Sequence, residues 1–338
     1  MARTAIILMN LGGPDSLDAV EPFLFNLFKD PAIIRLPAPL RLPLAWLVAR
    51  RRTGTAREIY ARLGGASPLL ANTEAQARAL EAVLGDRYRC FVAMRYWHPT
   101  SSETARAVAE WGPDEVVSLP LYPQFSTTTT ASSLADWRRA AAQQGLNRST
   151  RIVCCYPDES GFVDAVAELI RPELATASSH GRAPRLLLTA HGLPKRIVQA
   201  RDPYPAQVEM TARAVVAKLA QPGLDWQVCY QSRVGPLEWI GPATDAEIRR
   251  AGSERVPLVV APISFVSEHS ETLVELDIDY RDLAERNGVP AYHRVATVGT
   301  APGFIAALAN LVRSACSTSG LAACSAFARD CATAGGRG

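Results

Sequence analysis

Two apolar runs of the chain end in histidine and glutamate side chains that could move protons or hold a metal ion. Residues 184–190 (PRLLLTA) are followed by His191, and residues 256–263 (VPLVVAPI) are followed by a segment that contains His269 and Glu271. Continuous apolar runs of this length, bounded by turn residues, are typical of buried parallel strands. Ligands of open parallel sheets bind beyond the carboxyl ends of such strands. The sequence therefore predicts a ligand site at these three side chains.

Strand-like and helix-like segments alternate along the chain, which predicts parallel sheets with helices on both faces. The strand candidates are 5–10, 90–95, 115–120, 152–156, 186–190, 226–230 and 258–263. Similar motifs recur in the same order in both halves. We expect an α/β fold of two similar Rossmann-like halves, each a parallel sheet flanked by helices, with the active-site cleft between them. The expected divisions are 1–150, 151–300 and 301–338, the last comprising a C-terminal helix that packs back on the first half and a cysteine-containing tail.

Composition limits the classes of function. Hydrophobic residues make up 48% and charged residues 20% of the 338 residues, as in a globular protein with a full core. A formal net charge of +3 gives no indication of a nucleic-acid partner. The apolar stretch near the N-terminus is too short for a signal peptide, and no stretch has the length that spans a bilayer. We expect a cytoplasmic protein.

Residues 30–53 (DPAIIRLPAPLRLPLAWLVARRRT) fit neither half, because four prolines and five arginines interrupt their apolar residues. Prolines at these positions predict that no long helix runs through the segment. We interpret it as a surface lip that grips a flat apolar ligand and touches a membrane face, with Arg50 to Arg52 near anionic groups. A buried, irregular connection is the alternative.

A series of motifs resembles the ferrochelatases, enzymes that insert ferrous iron into a porphyrin, up to about residue 313. The motifs are LMNLGGP (8–14), RRT (51–53), Tyr60, GGASP (64–68), MRY (94–96), YPQFS (122–126), HGLP (191–194), DPYP (202–205), QSRVGPLEW (231–239) and SEHSETLVELD (267–277). The resemblance implies a chelatase-like fold and a lyase that makes protohaem from protoporphyrin IX and Fe²⁺.

Three other functions stay open at this point. One is a chelatase for another tetrapyrrole, such as coproporphyrin, or for another metal, although an apolar lip suits vinyl groups better than extra propionates. Another is a porphyrin carrier, which would need no proton acceptor facing the ring. The third is a nucleotide-binding oxidoreductase, but Gly12-Gly13 is followed at once by Pro14 and the G-x-G-x-x-G spacing is absent.

The resemblance also implies roles for the strand-end residues. His191 would face the pyrrole nitrogens and Glu271 would lie across the cleft; whether His191 accepts protons, binds the arriving iron, or does both stays open. His269 would orient Glu271 or line the site. Glu275 and Asp279 follow Glu271 at i+4 and i+8, one face of a helix. They would mark a polar path for metal or protons, or else a solvated helix face.

Aromatic and arginine side chains suit the rest of a porphyrin. Flat aromatic rings can cover a macrocycle, and guanidinium groups can pair with its propionates. Tyr122 is such an aromatic ring too, but core packing explains it equally well. The resemblance supports these pocket or rim residues: Leu11, Arg52, Tyr60, Ser67, Arg95 and Trp239.

Three of the seven cysteines, Cys316, Cys324 and Cys331, lie near the C-terminus in a segment poor in large apolar residues. They resemble an extension that holds a [2Fe–2S] cluster in a subset of ferrochelatases, and such clusters take four thiolates. The internal ligand of animal members corresponds to Thr127 here, so we expect Cys155 (or Cys154) instead. A Cys₄ zinc site and three idle thiols are the alternatives. The sequence leaves open whether the protein is a monomer or a homodimer.

Overall fold

The computed structural model describes residues 2–146, 148, 150–233, 235 and 237–317. The chain divides into two compact units. Among the described residues, unit 1 comprises residues 2–155 and 308–317, and unit 2 comprises residues 156–307.

Unit 1 is built on a parallel sheet with the strand order β2-β1-β3-β4 in its described residues. The strands are β1 (Thr4–Asn10), β2 (Tyr88–Met94), β3 (Glu115–Pro120) and β4 (Thr150–Ile152). The helices are α1 (Val20–Phe28), α2 (Ala38–Arg62), α3 (Leu69–Leu84), α4 (Ser101–Trp111) and α5 (Thr130–Gln143). Every residue of β1 is buried because neighbouring strands flank it and helices cover both faces, which is why its sequence TAIILMN is almost wholly apolar.

Unit 2 repeats this plan with the strand order β6-β5-β7-β8, again parallel throughout the described residues. The strands are β5 (Arg185–His191), β6 (Asp225–Gln231), β7 (Leu258–Pro262) and β8 (Tyr292–Arg294). The helices are α6 (Ser160–Ser178), α7 (Lys195–Gln199), α8 (Tyr204–Leu219), α9 (Thr244–Glu254), a π-helix (Glu271–Asp279), α10 (Tyr280–Arg286) and α11 (Pro302–Ser317), whose residues from Leu308 belong to unit 1. The predicted fold of two halves with parallel sheets and flanking helices is confirmed.

One local expectation was wrong, and one strand was not predicted. The prolines of segment 30–53 do not prevent a long helix, since α2 has 25 residues. Pro37 is its N-cap and Pro39 lies in the first turn, where a helix has no acceptor for the missing N–H; only Pro43 removes an interior hydrogen bond. Strand β8 was missed because its three residues, Tyr292, His293 and Arg294, form no apolar run.

No helix among the described residues has both the length and the hydropathy needed to cross a bilayer.

Candidate active site

His191 and Glu271 meet at the carboxyl edge of the sheet of unit 2. His191 is the last residue of β5, and Glu271 is the first residue of the π-helix, which follows the neighbouring strand β7. The Nδ1 atom of His191 lies 2.9 Å from Oε2 of Glu271. The side chains are 39% and 29% exposed, so solvent or a ligand can reach both.

The contact fixes which nitrogen of His191 is open. A carboxylate oxygen can only accept, so Nδ1 carries the proton and donates it to Glu271. Nε2 then holds the free lone pair in the neutral ring, and it has no hydrogen-bond partner among the described residues. His191 therefore presents an open proton acceptor or metal ligand.

Electrostatics set the protonation of this pair. Burial would lower the pKa of His191, but the negative charge and hydrogen bond of Glu271, with a smaller effect of Glu275, raise it above its usual value. Burial would likewise raise the pKa of Glu271, but His191 and His269 hold it well below its usual range. The carboxylate stays ionised and makes the imidazole a stronger base.

His269 lies beside the pair without bonding it tightly. Its Nε2 is 3.8 Å from Oε2 of Glu271, and its ring centroid is 4.6 Å from that of Phe265. Thr272 fixes its backbone by accepting from the amide of His269 at 3.0 Å and donating to its carbonyl at 3.1 Å. The Nδ1 atom is buried without a hydrogen-bond partner in the described part of the chain.

The predicted acidic line lies on a π-helix rather than an α-helix. A π-helix is rare and often marks a functional site. Glu275 is half-buried; burial and the nearby charge of Glu271 raise its pKa. Asp279 is exposed at the far end of the helix. The three acids thus extend from the His191–Glu271 pair to the surface of unit 2.

Arg294 of β8 braces this π-helix. It donates to both carboxylate oxygens of Asp277, at 2.8 and 2.5 Å, and to Oε1 of Glu268 at 2.6 Å. Glu268 precedes the helix and Asp277 lies within it, so one guanidinium ties the helix to the segment that leads into it. Leu276 packs in the same hydrophobic cluster as Leu258 of β7.

Trp239 packs against the backbone that follows His191. Residue 239 forms a β-bridge with Pro194, and a Cβ added to Gly192 would meet Cε3 of Trp239 at 3.2 Å and the carbonyl oxygen of Gln231 at 2.9 Å. Only glycine therefore fits at position 192 without displacing a neighbour. The indole Nε1 of Trp239 is buried and has no partner among the described residues.

Three predicted substrate residues gather beyond β1 of unit 1. Leu11 follows the strand, and Tyr60 of α2 is buried in a hydrophobic cluster against which Leu11 packs. Ser67 lies so close to Gly13 that a Cβ there would meet Cβ of Ser67 at 2.5 Å. Leu11, Tyr60 and Ser67 thus surround the loop after β1.

Arg52 and Arg95, the two residues predicted to bind propionates, differ in how many contacts they make within the protein. Arg52 of α2 lies over the ring of Phe28, 5.7 Å from its centroid. Arg95 is only 16% exposed; it donates to Asp30 at 2.7 Å and to Ser132 at 2.7 Å. Two of the five N–H donors of Arg95 are therefore engaged within unit 1.

Helix α2 exposes a row of large apolar side chains. Leu40 and Trp46 are 62% and 50% exposed, and Arg50 lies over the Trp46 ring at 5.3 Å. We call this row, with Leu36 before the helix, the α2 apolar face; it consists of Leu36, Leu40, Leu42, Leu44, Trp46 and Leu47.

The described cysteines of the predicted cluster lie at opposite ends of the strands of unit 1, some beyond the carboxyl ends and one near the amino ends. Cys154 and Cys155 follow β4 and pack with Phe125 beyond the carboxyl end of β3. Cys316 lines a cavity of about 320 Å³ with residues at the amino ends of β1, β2 and β3, such as Glu115. A strand of six residues separates these ends by about 20 Å. Cys324 and Cys331 lie outside the described residues.

Several residues of the site were not singled out from the sequence. Gln231, Ser232 and Tyr280 all bond Glu275, and Arg294 braces the helix. Gln231 and Ser232 belong to a motif that carries the family resemblance, which was the available signal. Tyr280 and Arg294 have no distinguishing sequence pattern.

Comparison with known proteins gives one consistent result. A family model described as Ferrochelatase matches residues 3–316. The ferrochelatase of Caulobacter vibrioides (strain NA1000 / CB15N) is 56% identical over 316 residues, covering 92% of this chain and 90% of that protein. The ferrochelatase of Phenylobacterium zucineum (strain HLK1) is 55% identical over 325 residues, covering 95% and 93%.

Solved structures show the same fold at low sequence identity. SirB from Bacillus subtilis with Fe³⁺ superposes with a TM-score of 0.55 at 12% identity, covering 93% of this chain and 96% of that one. The sirohydrochlorin chelatase SirB from Bacillus subtilis subspecies spizizenii, in complex with cobalt, gives a TM-score of 0.53 at 12% identity, covering 93% and 95%. The chain therefore belongs to the ferrochelatase family and is a lyase that inserts ferrous iron into a porphyrin.

Proposed function

We propose that this ferrochelatase, which converts protoporphyrin IX and Fe²⁺ into protohaem, inserts the metal at the His191–Glu271 pair. The reaction replaces two pyrrole N–H protons with one Fe²⁺. The observation that carries the proposal is the hydrogen bond of 2.9 Å from Nδ1 of His191 to Glu271, which leaves Nε2 open.

His191 acts as the proton acceptor. Its Nε2 takes one pyrrole proton, and the ionised carboxylate of Glu271 stabilises the imidazolium that forms. Because the ring is 39% exposed, it passes this proton to solvent before it takes the second pyrrole proton. Because Glu271 raises the pKa of His191, the ring accepts this proton more readily than an isolated imidazole would.

Glu271 also provides the first oxygen ligand for the arriving iron. Its Oε2 is engaged with His191, whereas its Oε1 has no hydrogen-bond partner in the described part of the chain. Placing the metal ligand and the proton acceptor side by side lets iron arrive where the protons leave. His269 lines the same position, and the exposed Asp279 is the outermost of the three acids of the π-helix.

The macrocycle contacts the aromatic and apolar residues predicted for it. We assign ring contacts to Trp239, Leu11 and Tyr60 and a polar contact to Ser67. Arg52 pairs with a propionate, because its guanidinium lies at the surface over Phe28. Arg95 contributes through the part of its guanidinium not bonded to Asp30 and Ser132.

The α2 apolar face contacts a membrane surface. Six large apolar side chains in and beside one helix are exposed, and exposed arginines follow them. Apolar groups can enter the headgroup region while arginines pair with anionic lipids. This supports a peripheral location on the cytoplasmic side of the membrane, which also suits an apolar porphyrin.

The four-cysteine ligand set predicted for a [2Fe–2S] cluster does not fit the described structure. All four thiolates must contact the same two irons, but Cys316 and Cys155 lie at opposite ends of the strands of unit 1. Within the described residues no three histidine, cysteine or acidic side chains are arranged to hold a metal. We assign no step of the reaction to a cluster.

The testing experiment is anaerobic haem formation from protoporphyrin IX and Fe²⁺ by the purified protein and its His191→Ala variant. We expect the variant to lose turnover but to keep its fold and its porphyrin binding, which fluorescence titration measures. His98→Ala is the matched control, because His98 is an exposed histidine bonded to Glu103 on unit 1. Turnover near that of the unchanged protein in His191→Ala would refute the proposal.

A further inference from the structure

Glu275 is saturated with hydrogen bonds in the described structure. Its Oε1 accepts from the amide of Ser232 at 2.9 Å and from the hydroxyl of Tyr280 at 2.9 Å. Its Oε2 accepts from the hydroxyl of Ser232 at 2.5 Å and from Nε2 of Gln231 at 3.2 Å. A carboxylate has about four lone-pair sites. These donors occupy both oxygens and leave no site for a passing metal ion.

Glu271 lies four residues before Glu275 on the π-helix, and it accepts fewer hydrogen bonds than Glu275 does. Its Oε2 contacts Nδ1 of His191 at 2.9 Å and the hydroxyl of Ser232 at 3.2 Å, while Oε1 is unengaged among the described residues. Neighbouring acids of the same line are therefore not equivalent. One can take a ligand without losing its protein contacts, and the other cannot.

We infer that Glu275 is a positioning residue that locks Ser232 beside Glu271, and not the next iron ligand of the acidic line. This inference rests on the proposed function, in which Glu271 and His191 do the chemistry. It replaces the relay role that the spacing of the acids predicts for Glu275.

Ser232 is the part that the lock holds. Its backbone has φ of +59°, the left-handed region that non-glycine residues seldom adopt. The amide and hydroxyl of Ser232 both reach Glu275, and the hydroxyl lies between the carboxylates of Glu275 and Glu271. A hydroxyl has a single proton, and the shorter contact, 2.5 Å to Glu275 against 3.2 Å to Glu271, assigns that proton to Glu275.

The lock is anchored in the sheet next to His191. Oε1 of Gln231 accepts from the hydroxyl of Thr189 at 2.8 Å, and Thr189 lies in β5 two residues before His191. Glu275 thus joins the end of β6 to the π-helix, and Gln231 joins both to β5. Loosening Glu275 would let Ser232, and with it Glu271, move relative to His191.

The test separates a positioning role from an iron-binding role by steady-state kinetics of anaerobic haem formation. We expect Ser232→Gly and Glu275→Gln each to lower kcat about tenfold and to change KM for Fe²⁺ by less than about twofold. Glycine tolerates the left-handed backbone, so Ser232→Gly removes the hydroxyl alone. The double variant should be no slower than the slower single variant, because both changes break one unit.

Controls make each result interpretable. Tyr280→Phe removes one donor to Glu275, and we expect a smaller loss of kcat at unchanged KM for Fe²⁺. Glu285→Gln removes an exposed acid of α10 and should behave like the unchanged protein. Circular dichroism and thermal unfolding establish that each variant is folded.

Two results would overturn the inference. A rise of KM for Fe²⁺ in Glu275→Gln and Asp279→Asn, with Ser232→Gly unaffected, would show that Glu275 carries iron. Normal kcat in both Ser232→Gly and Glu275→Gln would show that no lock is needed. His191→Ala, assayed in parallel, distinguishes this failure from failure of the proposed function, since inactive His191→Ala leaves the latter standing.

Discussion

Removing the charge of Glu271 tests the pairing at the centre of the site. Glu271→Gln keeps the size of the side chain and its ability to accept a hydrogen bond from His191. It removes the negative charge that raises the pKa of His191 and the open carboxylate oxygen proposed to receive iron. Turnover should therefore collapse while the fold is retained.

The magnitude follows from the hydrogen bond. A hydrogen bond to a charged group contributes about 1.5–3 kcal/mol, and the imidazolium that forms during proton transfer would lose that stabilisation. About 1.4 kcal/mol corresponds to a factor of ten in rate, so this loss alone lowers kcat by one to two orders of magnitude. Loss of an iron ligand adds to it, and we expect a decrease of about a hundredfold or more.

The pH profile gives a second readout with a defined sign. His191 accepts a proton only when its ring is neutral, so activity appears as pH rises through its pKa. Without the charge of Glu271 that pKa falls, so the acidic limb of the residual activity should move to lower pH. Anaerobic initial rates across the pH range measure both effects, with Glu285→Gln as the control for loss of an acid. Unchanged turnover in Glu271→Gln, or an acidic limb that moves to higher pH, would refute the reasoning.

Further predictions concern the brace, the surface and the thiols. Arg294→Met removes the cation that pairs with two partly buried carboxylates, so the free energy of unfolding, measured in urea, should fall by about 2–3 kcal/mol; an unchanged midpoint would contradict the brace. Leu40→Glu with Trp46→Glu should abolish co-sedimentation with anionic phospholipid vesicles without lowering activity on detergent-dispersed porphyrin, and retained binding would exclude this face. If the protein purified without oxygen contains iron and sulfide in equal amounts, at most one of Cys155→Ser and Cys316→Ser should remove the visible absorption, because the two thiols lie apart; loss of the absorption in both variants would contradict their separation.

The sequence predicts those strands that consist of continuous apolar residues. Each of the seven strand candidates overlaps an observed strand, because a strand covered on both faces must be apolar along its length. Strand β8 has only three residues, one of which is Arg294, so no continuous apolar run indicates a strand there. Helix α2 was not predicted because the number of prolines was taken as evidence against a helix. The free-energy cost of a proline depends on its position within the helix, and it is small in the first turn.

The candidate site follows the same division. A common site for His191 and Glu271 could be predicted because both follow apolar strands, and the carboxyl ends of neighbouring parallel strands share an edge. Their direct contact was not predicted, since the resemblance implied that Glu271 lies across the cleft. Whether each acid has a carboxylate oxygen free to bind a ligand could not be predicted, because this depends on hydrogen-bond donors that are distant in sequence. Ser232 is 43 residues from Glu275, and its reach depends on a left-handed backbone that no residue-type preference signals.

The spacing of the acids predicts that they share a helix face, but it does not predict what each of them binds. Equal spacing makes Glu271, Glu275 and Asp279 look like successive steps of one path. The hydrogen bonds divide them into an acid with an open oxygen, an acid with none and an acid at the surface. A carboxylate that has used its lone pairs cannot pass a cation onward without first breaking charge-assisted hydrogen bonds, each of which contributes about 1.5–3 kcal/mol. Iron that reaches Glu271 would encounter less resistance by approaching its open Oε1 directly than by displacing the donors of Glu275.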